Sequence, residues 1–236
     1  MEPKQHRALM HMPETRDLLA KQRSALEGKI NNLMAMQEIE MKQESLSSKI
    51  ALERVLASAV SPMAGPELRV LVRQIRSLSE SIAELDEQLK EEGQHLPGHE
   101  NLTRIEGIGT LTATILLTAI GPISDFADEN KLAAYLELMP KVENSNEAER
   151  SGRINKQGNK VARTAVVQCG LVAKRSSPYL NRFYERIKQR RGGGKAKIAL
   201  ARKLVKIVYD TLKNRWVPQD FPHLYPGRLK PGYNRF

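Results

Sequence analysis

An all-α fold is what this sequence predicts: a coiled-coil helical hairpin followed by a compact helical domain with a helix-hairpin-helix-like element. Three observations carry the prediction. From Leu68 the apolar positions run Leu68, Leu71, Ile75, Leu78, Ile82, Leu85 and Leu89, an alternation of three and four that marks the seam of a supercoiled helix pair. Hydrophobic residues make up 40% of the 236 residues but aromatics only 5%, which suits slim helical layers better than a β-sandwich. After residue 99 the chain is a series of helix-spaced apolar segments punctuated by Gly, Pro and capping residues.

Taken in order, a first helix over about 14–36 carries Leu19, Leu26 and Leu33 at seven-residue spacing with Ile30 between them. A shorter helix follows over about 43–60. SPMAGPE (61–67) is expected to break the helix, since Pro62, Gly65 and Pro66 cannot all sit in one. The first region, 1–98, therefore folds as an antiparallel helical hairpin. Homo-oligomerisation through the same leucine stripe is the competing use of that seam. These leucines are core and carry no chemistry.

GQHLPGHE (93–100) reads as a hinge, with His95 and His99 as a loop-exposed pair. No cysteine or acid cluster stands near them to complete a metal site, so no metal ligands are assigned. The second region, 99–216, opens with NLTRIEGIGTLTATILLTAIG, a helix end, a tight turn at Gly107-Ile108-Gly109 and an apolar helix begun by Thr110. Two glycines around one apolar residue let bare N–H groups point outward at a helix N-terminus, which is an anion site; Gly107 and Gly109 are therefore nucleic-acid-binding candidates. A plain αα-corner buried in the core is the structural alternative.

ISDFADENKLAAYLELMP (123–140) offers Ser124 or Asp125 as N-cap and an amphipathic helix through Leu132, Tyr135, Leu136 and Met139 that ends at Pro140. A loop, VENSNEAERSGRINKQGN (142–159), connects it to the next helix. Asn155 or Asn159 caps that helix, and Ala162, Ala165, Val166, Cys169 and Val172 form its apolar face. A helix near 178–190, a flexible basic turn RRGGGK and a final long helix complete the domain. RGGGK lacks the GxxxxGK[ST] spacing and a preceding strand, so it is not a phosphate-binding P-loop. The Pro- and aromatic-containing tail, 217–236, is expected to be extended or disordered.

Charge is unevenly distributed. Residues 1–98 hold 13 Lys/Arg against 15 Asp/Glu, a net of −2, whereas 99–236 hold 25 against 12, a net of +13. Within 150–215 there are 19 basic residues and 2 acids, Glu185 and Asp210. A surplus of that density calls for a polyanionic partner, and nucleic acid is the partner it implies. The single Cys169 excludes an internal disulfide framework. The absence of an apolar run of about 18 residues excludes a transmembrane helix, and the N-terminus has no apolar signal core. A cytoplasmic, nucleoid-associated protein is the expectation.

Six segments in order resemble one family: GIGTLTATILLTAIG, Phe126 with KLAAYLELMP, the serine-containing loop ending GRINKQGN, the alanine-rich helix after it, PYLNRFYERIKQR, and GKAKIALARKL. They are similar to the transposase domain of the insertion-sequence 110 and 1111 transposases over about residues 101–214. QHRALMHMPETRDLLAKQRSALEGKINNLMA also resembles that family's entry into its coiled coil. The resemblance implies a DNA-binding transposase acting in DNA transposition, with DNA as partner and a guide RNA in the members so described. It places Ser145 as the nucleophile that attacks a phosphodiester and holds the broken end as a phosphoserine. Arg153, Lys156, Asn159, Lys160 and Arg163 follow as phosphate-binding candidates, able to neutralise charge on a pentacoordinate phosphate.

This sequence departs from the family pattern in places. Glu137 stands where the family has a glycine, and Asn146 and Glu147 replace the glycines that usually follow the serine. Glu143, Glu147 and Glu149 flank the serine with negative charge. Residues 1–100 hold no strand-rich segment with spaced acids of the kind that forms the family's Mg²⁺-binding tetrad. The resemblance therefore implies the C-terminal portion of such an enzyme, with no cofactor in this chain and Mg²⁺ only where a nuclease domain is supplied. A chain that binds DNA without cutting it alone is the expected behaviour. The alternative is a non-catalytic DNA- or RNA-binding protein derived from a transposase.

Overall fold

A computed structural model describes residues 3–40, 46–58, 60–145, 148–154 and 159–216. The chain divides into two compact units, Met1–Leu89 and Lys90–Phe236, and the division falls inside one long helix. The predicted all-α architecture is observed, with strand confined to one two-stranded ribbon among the described residues.

The first unit contains α1 (Pro3–Met36), α2 (Lys49–Leu56) and the larger part of α3 (Ala64–Gly93). Contacts between α1 and α3 run in opposite senses. Arg16 reaches Asp86, Arg23 reaches Ser79 and Lys29 reaches Glu67, so the two helices are antiparallel. Every seventh residue of the predicted seam is buried: Leu68, Ile75, Ile82 and Leu89 are all at or below 4% exposure, while Leu71, Leu78 and Leu85 are half-buried. One core joins Leu68 and Ile75 to Ile30, Met34, Leu46, Leu52, Val55 and Val72. Arg16 Nε and Nη2 clamp both carboxylate oxygens of Asp86 at 2.7 and 3.1 Å. The hydrogen bond and the Asp86 charge push the Arg16 guanidinium further into its charged form.

Several helix limits differ from the sequence expectation: α2 covers only Lys49–Leu56 of the expected 43–60, α6 ends at Tyr135 short of Pro140, and α1 and α3 begin elsewhere than expected. α1 begins well before residue 14 and carries Pro13 in its interior. The break at SPMAGPE is shorter than expected, because α3 takes Gly65 and Pro66 into its first turn. A proline is tolerated there, since its missing N–H has no intrahelical partner in any case.

The second unit contains α4 (His99–Thr103), α5 (Thr110–Ile120), a 3-10 turn (Ile123–Asp125), α6 (Glu129–Tyr135), β1 (Pro140–Ser145), β2 (Ala148–Ile154), α7 (Lys160–Ser176), α8 (Pro178–Arg191) and α9 (Gly193–Asn214). α5 is buried continuously from Ala113 to Ile120, as an apolar helix without a polar face must be. α9 packs on α4, α6, α7 and α8 and is the unit's hub. Its small residues Ala196 and Ala201 are fully buried, and Gly170 of α7 would bring a Cβ to 3.3 Å from Leu200. Tyr209 donates to the carbonyls of Phe126 and Ala127, at 3.3 and 3.0 Å, tying the connector after α5 to α9.

Other local expectations are corrected. Asp128, not Ser124 or Asp125, caps α6 by accepting from the N–H groups of Asn130 and Lys131; the two earlier residues lie in the 3-10 turn. His99 is not loop-exposed. It opens α4 at 6% exposure, and its Nε2–H donates to the Thr110 carbonyl at 3.2 Å, so it is a satisfied core histidine. Val172 is 46% exposed, although the apolar spacing puts it on the core face of α7. Gly193 and Gly194 of the basic turn belong to the first turn of α9, leaving only Gly192 outside the two helices, at φ 81°. The tail, 217–236, lies outside the described residues.

Candidate nucleic-acid interface

The stretch expected to be a loop between α6 and α7 forms an antiparallel ribbon. Backbone groups leaving a helix need partners, and the two halves of this stretch supply them to each other. Pro140, which has no N–H to give, sits at the first position of β1, where a ladder tolerates it. The register pairs Ser145 with Ala148, Asn144 with Glu149, Glu143 with Arg150 and Val142 with Ser151, and shifts between Val142 and Pro140.

Ser145 thus closes the described part of β1 at the ribbon's tip. Arg153 lies between the levels of Val142 and Pro140, roughly 10–17 Å along the ribbon from Ser145 at about 3.4 Å per residue. Arg150, opposite Glu143, is only about 7 Å away by the same rise. The cation nearest the serine by register is therefore one that a loop reading of the sequence passes over. No periodic signal in the sequence points to it, because the ribbon is polar and its pairing is set only between its own halves. Lys156 lies outside the described residues.

α7 begins where the ribbon's connection ends. Asn159 is its N-cap and accepts from the Ala162 N–H at 2.9 Å, so its side chain is engaged in the helix start. Lys160, the first residue of α7, is exposed. Arg163, one turn on, is not turned to solvent: it forms an ion pair with Glu137, whose side chain is 5% exposed against 17% for the arginine.

Glu137 occupies an unusual backbone position. After α6 its N–H bonds to the Ala134 carbonyl and the Leu138 N–H to the Ala133 carbonyl. This double closure puts the residue between them in the left-handed region, and Glu137 has φ 53°. A glycine is the usual occupant, which accounts physically for the glycine of the family pattern. Here a glutamate accepts the strain and turns its carboxylate inward onto Arg163. In the sequence the two residues look unrelated. An acid at a glycine position with a cation on the next helix is the available signal.

The two glycines of the 107–109 turn separate in role. Gly107, at φ 94°, backs onto α7: a Cβ there would stand 2.8 Å from the Ala173 nitrogen and 2.8 Å from the Cys169 carbonyl oxygen. It is a glycine required by close packing on α7. Gly109 is exposed, with nothing within 4 Å of a built Cβ, and it precedes α5 without a side-chain cap. Among the described residues no N-cap side chain bonds the N–H groups at the start of α5.

After the ribbon, the cations of the described residues up to Asn214 lie on α7, α8 and α9. Lys174 stands 4.0 Å from the Tyr184 ring centre, and Lys203 stands 5.4 and 5.9 Å from those of Tyr179 and Phe183. Among the described residues no group of three or more His, Cys, Asp or Glu side chains is arranged to hold a metal ion. No helix is long and apolar enough to cross a membrane.

Compared with known proteins, residues 99–185 match the sequence profile of the IS116/IS110/IS902 transposase family. A "probable family 20 transposase" of Pseudomonas aeruginosa is 27% identical over 222 residues, covering 88% of this chain and 64% of the relative. The transposase for insertion sequence element IS1111A of Coxiella burnetii is 26% identical, covering 84% of this chain and 56% of its own length. A pilin gene-inverting protein of Moraxella bovis is 32% identical over 149 residues, which are 59% of this chain and 45% of that protein. The chain thus spans about three fifths of the length of the transposases it matches.

Proposed function

We propose that this chain, whose residues 99–185 carry the IS116/IS110/IS902 transposase domain, is a DNA-binding recombinase of insertion-sequence type acting in DNA transposition. The observation that carries the reading is that the matched residues run into the basic segment 150–215, where 19 cations face 2 acids. Such a surface meets phosphates, and a family whose members are named transposases supplies the reason for meeting them. A guide RNA and a second copy of the chain complete the proposed assembly.

In this reading Ser145 is the nucleophile. Its Oγ forms a bond to phosphorus, the bond from phosphorus to one bridging DNA oxygen breaks, and that oxygen leaves as a hydroxyl with the proton the serine gave up. The energy of the phosphodiester is kept in the phosphoserine until a DNA hydroxyl attacks it and restores the serine. Lys160 at the start of α7, Arg150 and Arg153 on the ribbon and Lys156 beyond it supply positive charge, and Gly109 supplies backbone N–H groups. Arg163 supports the site from within, through Glu137.

A second reading, a non-catalytic nucleic-acid-binding protein derived from a transposase, is favoured by the glutamates on the ribbon. Glu143 is two residues from Ser145, and Glu149 pairs with its neighbour Asn144. Each close pair with a phosphate costs about 1 kcal/mol at high dielectric.

Cleavage separates the two. Incubated with supercoiled donor DNA and Mg²⁺, the chain alone is expected to bind and leave the strands uncut. With an acidic nuclease domain of the family added in trans, an adduct resistant to sodium dodecyl sulfate is expected, abolished by Ser145→Ala and kept by Ser151→Ala. An adduct that survives Ser145→Ala would overturn the nucleophile assignment. No adduct under any condition would favour the second reading.

A further inference from the structure

We infer that the paired helices α8 and α9 form a docking surface for the phosphate backbone of duplex DNA, centred on Arg182, Arg186 and Arg190. The inference rests on the nucleic-acid reading of the chain and assigns it a place on α8 and α9, distinct from the ribbon residues.

The hairpin 178–214 holds 11 Lys/Arg and 2 acids, a net of +9. Both acids are already engaged. Glu185 meets Lys174 and Lys188, at 3.8 and 3.5 Å, and Asp210 meets Lys206 at 3.6 Å. Arg182, Arg186 and Arg190 stand at four-residue spacing, so they form one row along α8, and all three are exposed. Lys195 and Lys203 of α9 are spaced by two such steps. Among the described residues none of these five cations pairs with a carboxylate.

Two rings fix how the surface is used. Tyr179 and Phe183, one turn apart on α8, are half-buried. Lys203 stands over both, and the Arg186 guanidinium lies 5.7 Å from the Phe183 ring centre. A protein that grips single strands leaves aromatic faces bare for bases to stack on. Here the rings are covered by cations and brace them, so the surface offers positioned charge and no stacking platform. Positioned charge without base contacts holds a backbone and carries no sequence preference. The arginine row spans about 12 Å at 1.5 Å per residue, the axial length of roughly three to four phosphates of one strand.

The test is fluorescence anisotropy of the full chain on a duplex of about 20 base pairs, titrated with salt. Each lost phosphate contact flattens the plot of log K against log salt by about 0.9. Arg182→Gln/Arg186→Gln/Arg190→Gln is expected to reduce the slope by about 2–3 and to weaken binding at least tenfold at 100 mM salt. An equal charge loss from exposed residues of the first unit, Lys49→Gln/Arg69→Gln/Arg73→Gln, is expected to change the slope by less than about 1. Phe183→Leu keeps the charge, removes the brace and is expected to weaken binding about threefold. Equal losses from both triple variants would overturn the docking surface, as would a loss confined to single-stranded DNA of the same length. A wild-type chain with no salt-dependent binding would overturn the nucleic-acid reading itself, together with this surface.

Discussion

Replacing Glu137 with glycine sets two effects of opposite sign against each other at one residue. The left-handed backbone at φ 53° costs a non-glycine residue about 1 kcal/mol, which glycine would relieve. The same substitution removes the carboxylate that faces Arg163. Removing one partner of a buried pair costs about 3–5 kcal/mol, because the other charge is left without compensation. The lower end applies here, since the arginine side chain keeps 17% exposure and can draw on some water. The balance is a loss of about 2 kcal/mol, or about 4–8 °C in melting temperature for a domain of this size. Glu137→Gln keeps the strain and loses the charge, so it should be less stable than Glu137→Gly. The double variant Glu137→Gly/Arg163→Met removes strain and charge together and should return to wild-type stability or exceed it. Thermal and urea unfolding followed by circular dichroism measures all three. Wild-type or greater stability of Glu137→Gly with Arg163 intact would refute the reasoning, because the ion pair would then contribute nothing that offsets the strain.

Other substitutions and pH changes test further parts of the account. Gly107→Ala should destabilise the second unit by about 2 kcal/mol or more, from positive φ and a Cβ pressed into the α7 backbone, while Gly109→Ala should cost less than about 1 kcal/mol; chemical denaturation separates them. Burial pushes the Cys169 thiol up to about 11, so at pH 8 it should react with a disulfide reagent only on unfolding. Its folded-state value is raised, so the associated stability is complete below the ordinary thiol value and declines as pH rises from about 9 towards 11, which melting at stepped pH can follow. Lys206 holds the Glu129 carboxyl below its ordinary value across α6 and α9, so that contribution is present near neutral pH and lost as acid protonates the glutamate. The pair is largely exposed, and Lys206→Ala should cost less than about 1 kcal/mol, measured by urea denaturation at pH 7 and pH 3.

What is legible in the sequence follows the strength of each local signal. The three-four alternation on α3 predicts which residues are buried, because seven-residue spacing on a helix leaves little freedom about which face meets the partner. Thr110 as the opening of α5 follows from residue chemistry alone, as does an asparagine cap for α7, with the structure choosing Asn159 over Asn155. The ribbon at 140–154 is not legible: it is polar, lacks a clean two-residue period and is defined by pairing between its own halves. Gly107 and Gly109 cannot be separated by sequence, since a packing glycine and an exposed one share the same letters and differ only in what lies opposite. Sequence assigns Arg163 to phosphate because it is a cation near the serine loop. Its true neighbour, Glu137, is 26 residues earlier and is brought to it only by the turn that ends α6. The basic surface of α8 and α9 is visible as a charge tally, but the arginine row, its engaged acids and its aromatic braces require the packed helices.

The central claim is that the basic unit meets a nucleic-acid backbone through several phosphates at once. The most direct measurement is the affinity of the wild-type chain for a duplex of arbitrary sequence from about 50 to 300 mM salt. The account predicts a slope of log K against log salt of about −4 or steeper, with little change when the sequence is scrambled. A slope near zero, or binding that depends on sequence and not on salt, would contradict it.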